Sequence, residues 1–204
     1  MVVVNSKDEL KKLIWRRIEE QGPKCDLNDI DVSRVTDMSE LFMSSKFNGD
    51  ISAWDVSNVK NMSYMFYNSD FNGDLSKWNT SRVRNMMEMF SYTRFNGDIS
   101  QWNVSSVKNM SFMFANSTFN GDLSKWNVSN VKNMFGMFVS SKFSGDISQW
   151  DVSGVVYMNH MFERSVFKGD LSKWNVSNVK NMFGMFYDSP LEGNEPDWYK
   201  DWRD

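Results

Sequence analysis

A block of 24 residues recurs along this chain without insertion or deletion, and nothing else in the sequence limits the fold as strongly. Phe47, Phe71, Phe95, Phe119, Phe143 and Phe167 stand 24 residues apart, and Trp54, Trp78, Trp102, Trp126, Trp150, Trp174 and Trp198 keep the same step. A fixed period of this length marks an array in which each unit buries its apolar face against its neighbours. The expected fold is an α/β repeat solenoid, with one 24-residue turn per layer.

Spacing assigns roles within the unit. Trp54 and Val56, two residues apart and β-favourable, predict a short parallel strand. Val59, Met62, Met65 and Phe66 follow at the spacing of a short α or 3₁₀ segment with one buried face. Asn68, Ser69, Asn72 and Gly73 supply the turns back to the next strand. Ser57 and its equivalents are expected to cap the helical segment or satisfy turn amides. Asn61, Asn85, Asn109, Asn133 and Asn181 are expected to bond free backbone groups between turns.

The ends differ from the middle. Residues 1–22 read as an N-terminal capping helix: Ser6 and Glu9 form a capping-box pattern, Leu10, Leu13, Ile14 and Ile18 recur at helical spacing, and Gly22 and Pro23 stop the run. Seven repeats occupy residues 23–190, of which 23–46 is degenerate and 47–190 regular. Ile30 there replaces the tryptophan, and Cys25 stands where later units carry glycine, as a small turn residue. Residues 191–204 read as a degenerate C-terminal cap, in which Pro196 and the charges of Glu192, Glu195, Asp197, Asp201 and Asp204 discourage pairing by another chain, while Trp198 and Trp202 cover the last layer.

Composition narrows the function classes. With 23 basic against 26 acidic residues, net charge favours neither nucleic acid nor an anionic membrane, and no apolar run approaches a membrane span. One cysteine excludes an intrachain disulfide and a cysteine zinc site. A lone histidine, His160, with no nucleophile motif beside it, gives no basis for an enzyme or a cofactor.

The motif GD[IL]SxW[ND]VSxVxNMxxMF, carried almost unbroken from Phe47 to Tyr187, resembles the BspA-type leucine-rich repeat, the bacterial surface-protein family also called DUF285. The resemblance extends over residues 25 to about 198. It implies a leucine-rich-repeat-like, right-handed stack, a short parallel strand plus a short α/3₁₀ segment in each turn, and a protein-binding or adhesive role.

Partner residues are expected where the copies disagree, because a uniform surface has no address. Val156, Tyr157, His160, Glu163 and Arg164 form one such group. Tyr64, Phe112, Phe135 and Phe183 form another along the helical face, where glycine follows the aromatic in Phe135 and Phe183 but serine precedes it in Tyr64 and Phe112. The expected strand face varies at Ala53, Lys77, Gln101, Lys125, Gln149 and Lys173. Asp50, Asp74, Asp98, Asp122, Asp146 and Asp170 form an acidic row, expected to accept from turn amides, with a calcium ladder as the alternative. Lys60, Arg84, Lys108, Lys132 and Lys180 read as solvated lysine and arginine.

The function these residues point to is a non-enzymatic, monomeric module that binds another protein. One alternative is a calcium-stabilised cell-surface adhesin that binds host matrix proteins. Another is an intracellular inhibitor or decoy of mobile-element or phage origin. The expected compartment is the cytoplasm for a complete chain, and the cell surface or the exterior for one whose leader has been removed.

Overall fold

The protein is a repeat protein, seen here in a computed structural model that describes residues 1–203, with side chains through Lys200. Its regular elements are β1 (Val2–Val3), α1 (Lys7–Gln21), β2 (Ile30–Asp31) and α2 (Asp197–Arg203). Between β2 and α2 the chain runs through tight turns, and consecutive units meet in register through parallel bridges Asp37–Asn61, Asn61–Asn85, Asn85–Asn109, Asn109–Asn133, Asn133–Tyr157 and Tyr157–Asn181.

Backbone bonding explains why these units take neither of the two expected elements. Met62, Tyr64, Phe66 and Asn68 donate to the carbonyls of Asn85, Met87, Met89 and Ser91 in the next unit at 2.8–3.1 Å. The amides in between, of Met65, Tyr67 and Ser69, donate back three residues to Met62, Tyr64 and Phe66. Half the amides thus run along the stack, so no i→i−4 ladder can form and the expected helical segment is a run of consecutive turns. Its burial was read correctly: Val59, Met62, Met65 and Phe66 are all fully buried. Chaining such turns while every second amide points at the next unit requires left-handed backbone at two positions per unit, as at Tyr64 (φ 58) and Asn68 (φ 49).

The strand expected at Trp54–Val56 is absent from the regular units, where Trp54 N donates to Ile51 O and closes a turn instead. A strand exists at that register only in the first unit, as β2, because β1 is there to pair with it in parallel, Val2 opposite Ile30 and Val3 opposite Asp31. The opening MVVV is therefore a pairing strand, a role its sequence did not announce.

The core is a set of ring files. Phe42, Phe66, Phe90, Phe114, Phe138, Phe162 and Phe186 stack at 5.6–6.0 Å between centroids. The file from Phe47 to Phe167 stacks at 6.1–6.5 Å. Where one unit passes into the next the two files touch, as in Phe66 on Phe71 at 4.3 Å. Each tryptophan also ties two units together, since its indole Nε1–H donates to a carbonyl 27 residues earlier: Trp54 to Leu27, Trp78 to Ile51, and so on to Trp198 and Leu171, at 2.9–3.2 Å.

The file from Phe47 to Phe167 also accounts for the glycine column. A Cβ on Gly73 would lie 2.8 Å from Phe71 Cζ, so the phenylalanine two residues earlier excludes any side chain. The first unit carries Pro23 in place of that phenylalanine, and Cys25 fits; burial raises the pKa of its thiol, which makes it a packing residue.

Helix α1 begins as the sequence predicts, with Ser6 Oγ accepting from Glu9 N, and ends at Gly22 (φ 86). The Glu9 carboxylate bonds Asn5 N, one residue before the amide that a capping box would use. Leu10, Leu13 and Ile14 join the core cluster, and Ile18 packs partly against it. At the other end Tyr199 sets its edge on Phe186 at 4.9 Å and Trp198 lies at 6.2 Å from the same ring. The side chains of Asp201 and Trp202, and all of Asp204, which the sequence assigns to this cap, lie outside the described residues.

Replacing Trp126 by Phe keeps an aromatic ring but removes one of the two donors to the Ile99 carbonyl, leaving only Trp102 N. The variant is expected to lose about 1–2 kcal/mol of stability, read as a lower urea midpoint, while Lys125→Ala at the exposed neighbour stays within about 0.5 kcal/mol of the parent.

Candidate functional site

The residues that depart from the repeat between Val156 and Arg164 are brought together on the run of consecutive turns. Val156 substitutes for a basic residue without disturbing the stack, because that register contributes backbone: Lys132 O accepts from Val156 N and Val156 O accepts from Lys180 N. Tyr157 likewise keeps the bridge of the asparagines it replaces, and its ring stands 47% exposed. His160 and Arg164 occupy the two left-handed positions of their unit (φ 57 and 52). The His160 Nδ1 lies 2.6 Å from Glu163 Oε2, and Arg164 reaches Glu163 at 3.8 Å, Asp188 at 3.6 Å and the face of Tyr187 at 6.0 Å.

Three of the four variable aromatics, Phe112, Phe135 and Phe183, join this group instead of forming a separate stripe. Phe112 packs on Phe135 at 4.5 Å, Phe135 on His160 at 5.8 Å, and His160 on the edge of Phe183 at 5.6 Å. The exchange of aromatic and glycine along the sequence is a packing rule between units. A Cβ on Gly136 would lie 2.3 Å from the Phe112 ring, and one on Gly184 would lie 2.7 Å from His160 Nδ1. The rings of Phe112 and His160 at the left-handed position thus require glycine at the same position of the next unit, whereas Tyr64 is followed there by Glu88.

Further toward the N-terminus Tyr64 meets Tyr67 at 5.8 Å and Tyr67 meets Tyr92 at 5.6 Å. Burial raises the Tyr64 pKa, and a hydrogen bond with Glu88 adds to it. Tyr67, Tyr92 and Tyr187 were missed by sequence reasoning. Their signal was present: the two columns they occupy read Met, Tyr, Ser, Ala, Val, Glu, Tyr and Ser, Asn, Tyr, Asn, Ser, Arg, Asp, far more varied than any core column. Phe183 (67%), Tyr187 (54%) and Tyr92 (53%) are the most exposed rings of this face among the described residues.

The second candidate surface has a different character from the one expected. Lys77, Gln101, Lys125 and Gln149 are exposed, with Ala53 and Lys173, but they sit in the tight turn before each tryptophan and not on a strand. Gln101 and Gln149 spend an amide on the neighbouring serine hydroxyls, Ser100 and Ser148. The acidic row beside them works locally. In Asp50, Asp74, Asp98, Asp122, Asp146 and Asp170, Oδ1 accepts from the backbone amide two residues on, at 2.8–2.9 Å. That amide, with help from the same serine's hydroxyl, holds each carboxyl below the usual aspartate range. Among the described residues no group of three or more His, Cys, Asp or Glu is placed to hold a metal ion.

Two other expected roles change hands. Ser57 and its equivalents cap no helix; their amides donate to Asp55, Asn79, Asn103, Asn127, Asp151 and Asn175 two residues earlier. The Asn61 column bonds within its own turn, as in Ser63 N to Asn61 Oδ1, and the ladder between units belongs to Asn48, Asn72, Asn96 and Asn120. Lys60, Arg84, Lys108, Lys132 and Lys180 are exposed, as expected.

The chain matches the family described as Mycoplasma protein of unknown function, DUF285, three times in overlapping register, over residues 15–118, 69–144 and 115–198. It belongs to that family. Comparison with curated proteins and with solved structures returns no match. In this DUF285 chain no helix among the described residues is long and apolar enough to cross a membrane.

Gly136→Ala is expected to lower stability by about 2 kcal/mol or more. In the Phe112→Ala background the same change should cost far less, because the clashing ring is gone; a four-variant urea series reads the coupling. The acidic row makes a separate prediction. Its folded pKa values lie below the unfolded value of about 3.9, so its contribution is present above that pH and is lost as pH falls through the folded values. The Asp74→Asn, Asp98→Asn, Asp122→Asn variant keeps the acceptors but cannot titrate, and its melting temperature should fall less steeply than the parent's between about pH 4 and pH 2.

Proposed function

We propose that this chain is a non-enzymatic protein-binding module, a right-handed solenoid of the BspA-like leucine-rich-repeat kind. The bridges that repeat every 24 residues support the solenoid reading. The partner surface in this proposal is the face that carries Tyr157, His160, Arg164, Phe183 and Tyr187.

One observation carries the choice of face. Exposed rings, a histidine, an arginine and two carboxylates are clustered there at contact distance, on a scaffold whose other columns repeat. Aromatic side chains and arginine are what protein interfaces concentrate at their energetic centres. Phe183, two-thirds exposed, contributes nothing to the core and has the form of an anchor waiting for a pocket. The Lys and Gln turns on the other side offer long, solvated side chains of the type that interfaces avoid.

The test is crosslinking capture with the intact chain beside two variants, Tyr157→Asn with His160→Ser, and Lys77→Ala with Gln101→Ala and Lys125→Ala. The partner captured by the parent should be lost with the first variant and kept with the second. The reverse pattern would assign binding to the turns before the tryptophans.

A further inference from the structure

Every unit but the last hands four amides to its successor. Met158, His160, Phe162 and Arg164 donate to the carbonyls of Asn181, Phe183, Met185 and Tyr187. The equivalent donors of the last unit are Met182, Gly184, Phe186 and Asp188. Asp188 N is taken by the carboxylate of Glu192 at 2.8 Å, while the amides of Met182, Gly184 and Phe186 have no acceptor among the described residues. Gly184 and Phe186 line a cavity of about 460 Å³, together with Phe183, Tyr187, Glu192, Glu195 and Tyr199.

We propose that this edge is a second docking site, which takes one extended segment of a partner protein by backbone pairing. It goes beyond the lateral face and does not depend on it. Six junctions inside the chain show what completes such an edge: a segment presenting carbonyls at every second residue in parallel register. Three donors at alternate residues with no acceptor among the described residues, two of them lining an open cavity, repeat the first half of that junction. Glu192 on the wall of the cavity and the exposed rings of Phe183 and Tyr187 favour a segment with a basic side chain.

A second copy of this chain does not fit the edge. Its complementary carbonyls, Asp37, Ser39, Leu41 and Met43, lie in the first unit, where α1 packs Leu10, Leu13 and Ile14 into the core and Lys7 reaches Ser39. A helix about 10 Å across over that unit keeps a second stack too far from the edge for backbone pairing. A single extended segment has no such bulk.

The probe is the peptide of residues 178–187, which carries the unit's own acceptors and Lys180, and the readout is residue-resolved amide hydrogen exchange on the full chain. In the free protein the amides of Met182, Gly184 and Phe186 should exchange at least about 100-fold faster than those of Met158, His160 and Phe162. Saturating peptide should protect all three, and a scrambled peptide none. The Tyr157→Asn, His160→Ser variant should show the same protection, so that loss of the lateral face and loss of the edge are read separately. Free-state exchange as slow as in the inner units, peptide binding that leaves the three amides unprotected, or no binding at millimolar peptide would each overturn the proposal, as would head-to-tail oligomers in sedimentation.

Discussion

The hydrogen bond from a backbone amide in one unit to the carbonyl 23 residues later is the interaction on which the rest of this structure rests. It is made four times at each regular junction, and it fixes the register: a slip by one residue would exchange donors that point along the stack for donors already closing turns. Once register is fixed, like side chains must fall on like. The phenylalanine files, the indole bonds that cross from one unit to the previous one, and the asparagine ladder from Asn48 to Asn120 are consequences of that alignment. Each then adds burial or polar satisfaction that holds the alignment in place.

The same bond imposes a local cost. Keeping every second amide on the stack axis within a run of turns places two residues per unit in left-handed backbone, and twelve of these along the chain are not glycine. That conformation disfavours a Cβ by about 1 kcal/mol or more per residue. It also swings the side chain out of the core, so these columns are free to vary while the core columns are not. Phe112, His160, Tyr92 and Arg164 all stand on them. The surface with the greatest chemical variety is therefore the one that the backbone's own requirement releases from packing, and the pairing of ring with glycine across units shows how far that freedom extends.

Much of the core could be read directly from the sequence, because burial follows periodicity whatever the backbone does. Val59, Met62, Met65 and Phe66 are buried as their spacing implied, and Ser6 and Gly22 bound the first helix as capping rules require. The local conformation was not legible for a physical reason: spacing of three and one is shared by a helix and by successive i→i−3 turns, and only the neighbouring unit decides between them. The strand at the tryptophans failed likewise, since Trp54 closes a turn and gives its indole to Leu27, a bond between residues 27 apart that no local pattern encodes. The two sets of variable residues read as separate in sequence because His160 touches Phe135 and Phe183, each one unit away.

The run of turns that joins the units is bonded one way, and is therefore polar. The amides of the run from Met62 to Asn68 and its equivalents that leave their unit all donate toward the C-terminal end, while outside that run the amides of Lys60 and Asn85 and their equivalents, and those of Asp70, Thr118, Lys142 and Val166, donate the other way. Uncompensated donors accumulate at the last unit and uncompensated acceptors at the first, as they do at the two ends of an α-helix. The sequence distributes charge accordingly. Helix α1, whose five basic residues outnumber Asp8, Glu9, Glu19 and Glu20 by one, lies by the acceptor end, and Lys7 bonds Ser39 Oγ in the run whose carbonyls are open. Asp188, Glu192, Glu195 and Asp197 gather at the donor end, where the Glu192 carboxylate takes one of the four amides. The degenerate ends of the array are thus more than eroded copies: they answer the polarity that the regular run creates, and where the answer stops short, the amides of Met182, Gly184 and Phe186 have no acceptor among the described residues.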